Sequence, residues 1–519
     1  MSIAVHSPGL ALTNPLCTLL DLPAQDFTRA DMLRAIVASD IEHLTFHYVG
    51  GDGELRELRL PVVSACQAER VLASGERVDG SSLFAGLVDV RESDLYVVPV
   101  YKSAFLNPFD SHSLDFMCRL VDRHGARASF APDCVVERAS DSLTLQTGVE
   151  LHALAELEFF PLGEDDDASY APSSRGGYHA AARYFRYGDV VGEMVQHLAR
   201  ITGAVKYAHS EAGFIESLES ERCLLSGRRG EQHEIELLAR PVAEMADIVA
   251  LGRWIVRNVA YRHGMLATFA PKVEYGVPGN GLHCHLELVR GGDSLMTAED
   301  GCLSESALQL IGGLMQHAAT LCAFGNTVAT SYMRLVPEQE APTRICWSDS
   351  DRSALVRVPL GWDCGADLAR LVNPAEPLDY LDARSHQTVE WRLPDGSAQI
   401  HLLLAGLAVA AEWGLTHAES PAFADATRSR AGAPLGAAGA DHACGLEPLP
   451  SSCEAAARLL LRRRDLYEAG GAFAPLVIEH VARLLEREVD SLAGELRGAS
   501  DGERRRAARQ AMDRDVMRL

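Results

Sequence analysis

Three short apolar segments each place two ionisable side chains two residues apart: Glu156 and Glu158 in ALAELEFF, His283 and His285 in GNGLHCHLEL, and Glu390 and Arg392 in TVEWRLPD. On a strand, residues i and i+2 share a face, so each pair points one way and its apolar neighbours the other. Inward-turned carboxylates and imidazoles are costly unless they bind cations or one another. Taken singly, a Glu-x-Glu or a His-x-His is most simply a solvated face. An arginine series changes that balance: Arg334 in SYMRLVPEQEAP, then Arg352 and Arg357 in DRSALVRVP. Guanidinium forks fit carboxylate and phosphate oxygens in a geometry that lysine does not reproduce. Several carboxylates with one histidine suit hard divalent ions such as magnesium or manganese. Such a cage beside arginines is what phosphoryl transfer from a metal–nucleotide needs. The chain has no Gly-x-x-x-x-Gly-Lys-Ser/Thr loop, which excludes a P-loop enzyme.

Strands backed by helices are required to hold these residues, and the sequence supplies both. Its 519 residues are 47% hydrophobic and 23% charged, which excludes disordered, collagen-like and coiled-coil chains. The length suits two unequal domains or about three of ordinary size. Phe27 to Ala38 has helical spacing with Thr28 as N-cap. His43 to Pro61 reads as strand, turn, strand, with Gly50, Gly51 and Gly53 in the loop, and Asp94 to Pro99 as a further strand. That is a small α+β unit. From about residue 130, short strands alternate with long helices at Pro241 to His263, Ser304 to Ala323 and Ala398 to Trp413. Residues 1–24 read as an irregular lead-in, Glu164 to Asp167 and Ala431 to Ala440 as loops, and the tail from Arg497 as a solvated helix.

Charge and cysteine usage narrow the partners. Lys+Arg 48 against Asp+Glu 72 gives a net charge of −24, which argues against nucleic acid or an anionic membrane as the main partner. The 12 cysteines include no Cys-x-x-Cys and read as reduced thiols of a cytoplasmic protein. The first residues carry no leader pattern, and the apolar run Ile400 to Leu415 is too short to span a bilayer and reads as a core helix.

From about residue 40 to 490 the sequence resembles the glutamine synthetases. The resemblance rests on an ordered set of motifs: VDGSS near residue 80, ELEFF, GGY at 176–178, HSE at 209–211, ATFAPK at 267–272, GLHCHLEL, SYMRLVPEQEAP, DRSALVRVP and EWRLPD. It implies one metal site at Glu158, Glu211 and Glu234 and a second at Glu156, His283 and Glu390. It implies that Arg334, Arg392 and the loop at Gly279 hold the acid, and that His285, Arg352 and Arg357 face the nucleotide and the transferred phosphoryl group. Asp79, Ser82, Tyr178 and Glu211 would form an ammonium pocket, with Asp79 taking the proton, and Glu340 would be the flap residue that closes the site. It also implies a small β-grasp-like domain over residues 25–128 and a catalytic domain with a curved antiparallel sheet over 129–519. Finally, it implies a ring-shaped homo-oligomer, a dodecamer, with active sites between subunits.

The sequence departs from the family pattern at four places. Pro278-Gly279 stands where relatives have Asn-Gly, with Asn280 displaced; proline offers neither an amide side chain nor a backbone N–H. Thr388 occupies a position that is usually basic. Residues 213–230 are inserted between Glu211 and Glu234 and offer Glu216 and Glu219 as rival ligands; Gln232-His233-Glu234 matches the family's Gln-x-Glu and favours Glu234. Residues 420–445 contain no tyrosine for adenylylation. Of the neighbours, Glu287 reads as a solvated strand residue, Cys284, Trp347 and Trp391 as core, and His209 equally as a packed residue or one supporting the ligands.

The expected activity is ATP-dependent ligation of ammonia to a carboxylate, first of all L-glutamate, through an acyl phosphate, with magnesium or manganese, two or more ions per subunit. The alternatives are a γ-glutamylamide or other carboxylate–amine ligase and, from a different class, a non-catalytic homologue. The last ranks lowest because all six candidate metal ligands are present.

Overall fold

The computed structural model describes residues 10–89, 91, 93–164, 177–181, 187–336, 341–361, 368–377, 387–429, 446–496 and 500–519. Among these, the first sheet is built from β1 (His43–Val49), β2 (Leu55–Pro61), β3 (Glu76–Asp79), β4 (Asp94–Pro99), β5 (Phe105–Leu106) and β6 (Ser113–Val121). Their order is β2-β1-β6-β4-β3, with β5 also on β6; β1 and β6 are parallel and the remaining pairs antiparallel. Thr28 caps the helix Arg29–Ala38 in a reciprocal pair with Asp31, as the Thr-x-x-Asp spacing directs. That helix, the helix Ala65–Ser74 and the sheet share a core containing Met32, Phe46, Leu72, Phe84 and Phe116. Pro15–Leu20, expected to be irregular, is a helix whose Leu16 and Leu20 enter the same core; Asn14 caps it and Pro15 starts it.

The second sheet runs β14 (Trp347–Asp349), β15 (Val356–Val358), β16 (Val389–Trp391), β12 (Cys284–Arg290), β7 (Glu150–Gly163), β9 (Arg229–Leu237) and β8 (Val205–Ile215). The short strands β10 (Arg240–Pro241), β11 (Leu266–Thr268) and β13 (Asp293–Ser294) pair at its margins. It is the curved sheet of an α+β fold, antiparallel except that β14 and β15 run parallel. The 14-residue β7 is its spine. Leu151, Ala153, Ala155, Leu157 and Phe159 alternate onto one face, where they pack with residues of the helices Val242–Arg262, Glu305–Gly325 and Ile400–Thr416 in the main core. Glu156 and Glu158 are left on the other face, so the hydrophobic alternation that builds the core also fixes where the charges point. Trp347 and Trp391 are fully buried in that core. Among the described residues, Glu305–Gly325 is long and apolar enough to cross a membrane, but it is mostly buried inside the fold.

A charged seam joins the two sheets' units. Arg119 on β6 reaches Asp247 of the helix Val242–Arg262 at 2.8 Å and Glu137 of the helix Pro132–Thr147 at 2.8 Å, and His401 meets Asp247 at 3.1 Å. Asp247 is held down to about 2: burial opposes its charge, and Arg119 and His401 outweigh that penalty.

Two further readings meet the structure differently. The tail is not a solvated helix: in Asp501–Arg518, Ala511, Met512 and Val516 are buried, as are Asp513 and Asp515. The loop at Ala431 to Ala440 and most of the Glu164 to Asp167 segment lie outside the described residues.

Candidate active site

Strand register brings the dispersed motifs together. Glu158 lies opposite Glu234 across β7 and β9, His209 opposite Glu234 across β8 and β9, and His285 opposite Glu390 across β12 and β16; Arg357 on β15 faces Glu390 in turn. His283, just before β12, accepts the backbone N–H of Glu156 on its carbonyl at 3.0 Å. Cys284 is fully buried in the core on the opposite face, where burial pushes its thiol up to about 12.

Among the described residues, three overlapping clusters could each hold a metal ion, with candidate ligand atoms within 4.8 Å of one another: Glu156, His283 and Glu390; Glu156, Glu158 and Glu234; and His209, Glu211 and Glu234. The first is the triad expected for one metal site. The other triad, Glu158, Glu211 and Glu234, is divided between the second and third clusters, with Glu234 common to both. His209 belongs to the third, its Nε2 3.3 Å from Glu234 and its Nδ1 3.6 Å from Glu211. Glu216 and Glu219 are exposed on the hairpin between β8 and β9 and join none of the clusters. Glu287 is buried rather than solvated.

The electrostatics are unbalanced in the way a cation site requires. Burial, then the charges of Glu158 and Glu234, raise the Glu211 carboxyl to about 8; burial, then Glu156 and Glu158, raise Glu234 to about 9. Glu156 goes the other way: burial opposes its charge, but hydrogen bonds from His283 Nδ1 at 2.7 Å and His285 Nε2 at 2.8 Å hold it well below the usual range. Glu390 is also depressed against burial, by Arg392 and His283, and its oxygens meet Arg392 Nη1 and, at 2.9 Å, Arg357 Nη1. Buried carboxylates that repel one another beside imidazoles are a donor set suited to hard divalent cations.

Arg334, Arg357 and Arg392 touch the cage. Arg334, in the helix Ser331–Arg334, is buried; it donates to Leu393 O at 3.1 Å and lies 3.3 Å from His283 Nε2. Arg392 is buried beside Glu390. Arg352 is exposed on a turn in which Asp351 accepts from Ser353, and its charge acts on the Tyr178 phenol alongside that of Glu211. Thr388 Oγ1 lies 3.1 Å from His285 Nδ1, so the position that is usually basic orients a histidine here.

The loop before His283 is built for close approach. A Cβ on Gly279 would lie 1.9 Å from Pro271 O, and one on Gly281 would fall within 2.9 Å of Arg334, Glu158 and His283. The Gly281 N–H donates to Glu158 at 2.9 Å. Asn280 does not stand in for the missing asparagine. It is fully buried, its Nδ2 donates to Ala270 O at 3.0 Å, and its Oδ1 accepts from Gln232. Gln232 also donates to Glu158 and to Gly279 O, and so ties the loop to the cage. Sequence reasoning gave Gln232 and His209 no firm role, although each lies two residues before a candidate ligand on the same strand face.

The expected ammonium pocket appears in two halves. Asp79 accepts from Ser81 N and Oγ and from Ser82 Oγ, bonds that hold it down to about 2. Tyr178 lies beside His179 and His209 near Glu211. Among the described residues of one chain, no hydrogen bond or ion pair joins the two halves. Glu340 lies outside the described residues.

Comparison with known proteins gives a consistent result. Residues 130–499 match the family model for the glutamine synthetase catalytic domain, and residues 40–123 that for the glutamine synthetase beta-Grasp domain. Similar proteins include glutamine synthetase of Pyrococcus horikoshii, 29% identical over 73% of this chain and 76% of that one, and of Halobacterium salinarum, 32% identical over 63% and 70%. Among solved structures, the ADP complex of GmaS superimposes with a TM-score of 0.71 at 22% identity over 91% of this chain and 98% of that one. Glutamine synthetase of Plasmodium falciparum does so with 0.70 at 19% over 90% and 97%.

Proposed function

The chain belongs to the glutamine synthetase family of ATP-dependent, amide-forming ligases, and on that basis we propose that it joins ammonia to L-glutamate to form L-glutamine. The observation that supports this reading is the carboxylate–histidine cage on one sheet face, with Arg357 and Arg392 on Glu390 and Arg334 beside His283. Glu156, His283 and Glu390, with Glu158, Glu211 and Glu234, are proposed to hold two or more magnesium or manganese ions, which would neutralise phosphate oxygens. Arg334, Arg392 and the Gly279 loop would hold the acid; His285, Arg352 and Arg357 would face the phosphates.

In this scheme a carboxylate oxygen of the acid attacks the γ-phosphorus of ATP, ADP leaves, and an acyl phosphate forms. Ammonium gives a proton to Asp79 and becomes ammonia, whose lone pair attacks the acyl carbon; phosphate departs with the C–O electron pair and takes the nitrogen's second proton, leaving the neutral amide. Glu340 would exclude water, which would otherwise hydrolyse the acyl phosphate. Asp79 and Ser82 would reach the cage of a neighbouring subunit in a ring-forming, cytoplasmic homo-oligomer, a dodecamer on the family pattern.

One observation favours a second reading, a ligase for another acid or amine. Pro278 replaces the family's asparagine, and the Asn280 amide is occupied within the scaffold. Phosphate release from ATP, measured across a grid of acids and amines, separates the two. The proposal expects glutamate with ammonia to lead. Methylamine and ethanolamine should trail ammonia about tenfold to a hundredfold, since an alkyl group leaves a pocket carboxylate without a donor. A polyamine or alkylamine preferred over ammonia would assign the second reading, and release with no pair would leave a non-catalytic homologue.

A further inference from the structure

The helix Asp501–Arg518 is anchored to the segments that form the acid side of the site. Thr330 Oγ1 donates to Asp515 Oδ2 at 2.6 Å, and both residues are fully buried. Thr330 immediately precedes the helix Ser331–Arg334, and its hydroxyl, instead of capping that helix, turns to Asp515. Arg334 is itself buried, so its guanidinium can shift little unless this short helix shifts with it. On the strand side, Phe269 N and Arg257 Nη2 both donate to Leu519 O. Phe269 opens the run that leads through Lys272, whose Nζ donates to Val277 O at 2.7 Å, to Gly279.

The inserted hairpin closes the same unit. Ser220 Oγ donates to Asp513 at 2.7 Å, Arg506 pairs with Glu221 at 3.2 Å, and Arg509 pairs with Glu274. Glu219 N donates to Glu274 as well, at 3.0 Å. Beneath these contacts, Ile215 and Leu218 of the hairpin, Ala270 and Val273 of the loop, and Val516 of the helix share a small separate core. Arg514 ties Asp515 to Glu488 on the helix Pro475–Leu496, so the assembly is fixed to the body of the domain.

We propose that Asp515 and Thr330 are positioning residues, through which the Asp501–Arg518 helix and the 213–230 hairpin set the geometry of acid binding. This rests on the reading that Arg334 and the Gly279 loop hold the acid. The contacts above converge on the Thr330–Arg334 and Phe269–Gly279 segments. The residues read as facing the nucleotide, His285, Arg352 and Arg357, are carried instead by β12, by the turn between β14 and β15, and by β15. Loss of the bond should therefore weaken acid binding while leaving ATP nearly untouched.

The test uses the full-length enzyme with magnesium, comparing T330S, T330V, D515N and the double variant T330V/D515N. T330V and D515N should raise KM for the acid about tenfold to a hundredfold, as for loss of a buried hydrogen bond to a carboxylate. KM for ATP should change less than about twofold in the same variants, since they displace only one half of the site. The double variant should be no worse than the worse single one, and T330S, which keeps the hydroxyl, should behave as wild type. An equal rise in KM for ATP, additive effects, or an unchanged KM for the acid would overturn the proposal. Amide exchange measured without substrates keeps this separate from the functional reading. In T330V, residues 269–281 and 331–336 should exchange faster and β7 and β12 unchanged, whatever acid the enzyme uses. Uniform acceleration, or none, would overturn the proposal even if glutamate proves to be the substrate; inactivity of the wild type with every acid would defeat the functional reading alone.

Discussion

Glu390 is the residue on which the cage and the arginines meet. It receives Arg392 and Arg357 and belongs with Glu156 and His283 in one candidate metal cluster. Glu390→Gln keeps the shape, removes the charge and leaves two guanidiniums facing a neutral amide. Turnover should fall by at least about a hundredfold with the oligomer still assembled, as for loss of a preorganised charge in a buried site. Undiminished activity in the purified variant would remove Glu390 from the cage. The raised carboxyls Glu211, at about 8, and Glu234, at about 9, make a second prediction. Their folded values lie above the unfolded glutamate value of about 4.3, so the metal-free fold binds more protons than the unfolded chain, and its stability falls as pH rises from there through 8 and 9. A divalent cation replaces those protons and should flatten the slope. At pH 7, metal binding should release up to about two protons, read as a calorimetric heat that varies with the buffer's ionisation enthalpy. Heat independent of buffer would contradict the assignment.

At the scale of elements, the loop from Phe269 to His283 is where sequence and structure part most usefully. The face pattern of β7 and the His-x-His before and within β12 were legible because period-two alternation leaves little choice of side. The fate of Asn280 was not, since nothing in a linear string tells whether an amide faces a cleft or braces two backbone carbonyls. Nor was the packing of Asp501–Arg518. Its run of Arg504, Arg505 and Arg506 reads as solvent-facing, and the buried side depends on partners near residues 220, 270 and 330 that only tertiary folding brings there. Gly279 gives this element a direct test, because an alanine Cβ would meet Pro271 O at 1.9 Å. Gly279→Ala must shift the loop, and KM for the acid should rise about tenfold, as for overpacking of about 1–3 kcal/mol, with KM for ATP little changed. An unchanged KM for the acid would place acid binding elsewhere.

For the whole molecule, the question is how Asp79 comes to act. It sits on the exposed edge strand of the small domain, with its oxygens occupied by Ser81 and Ser82, and no bond joins it to the cage among the described residues of its own chain. If each site borrows Asp79 from a neighbour, inactive Asp79→Ala and inactive Glu390→Gln subunits should complement each other. Equal amounts, dissociated and reassembled, should recover about a quarter of wild-type activity, the chance that both halves of a shared interface are intact. No recovery from verified mixed oligomers would mean that each chain completes its own site.

The central claim is that ATP activates the acid by phosphorylating its carboxylate before nitrogen arrives, and oxygen tracing follows that event directly. L-Glutamate carrying oxygen-18 in both oxygens of its side-chain carboxylate is supplied with ATP, magnesium and ammonia, and the released phosphate is analysed by mass spectrometry. The carboxylate oxygen that attacks phosphorus stays with it when nitrogen displaces phosphate, so each phosphate should carry one heavy oxygen, in step with glutamine formed. Glutamine formation with unlabelled phosphate would show that no acyl phosphate was made and would contradict the account.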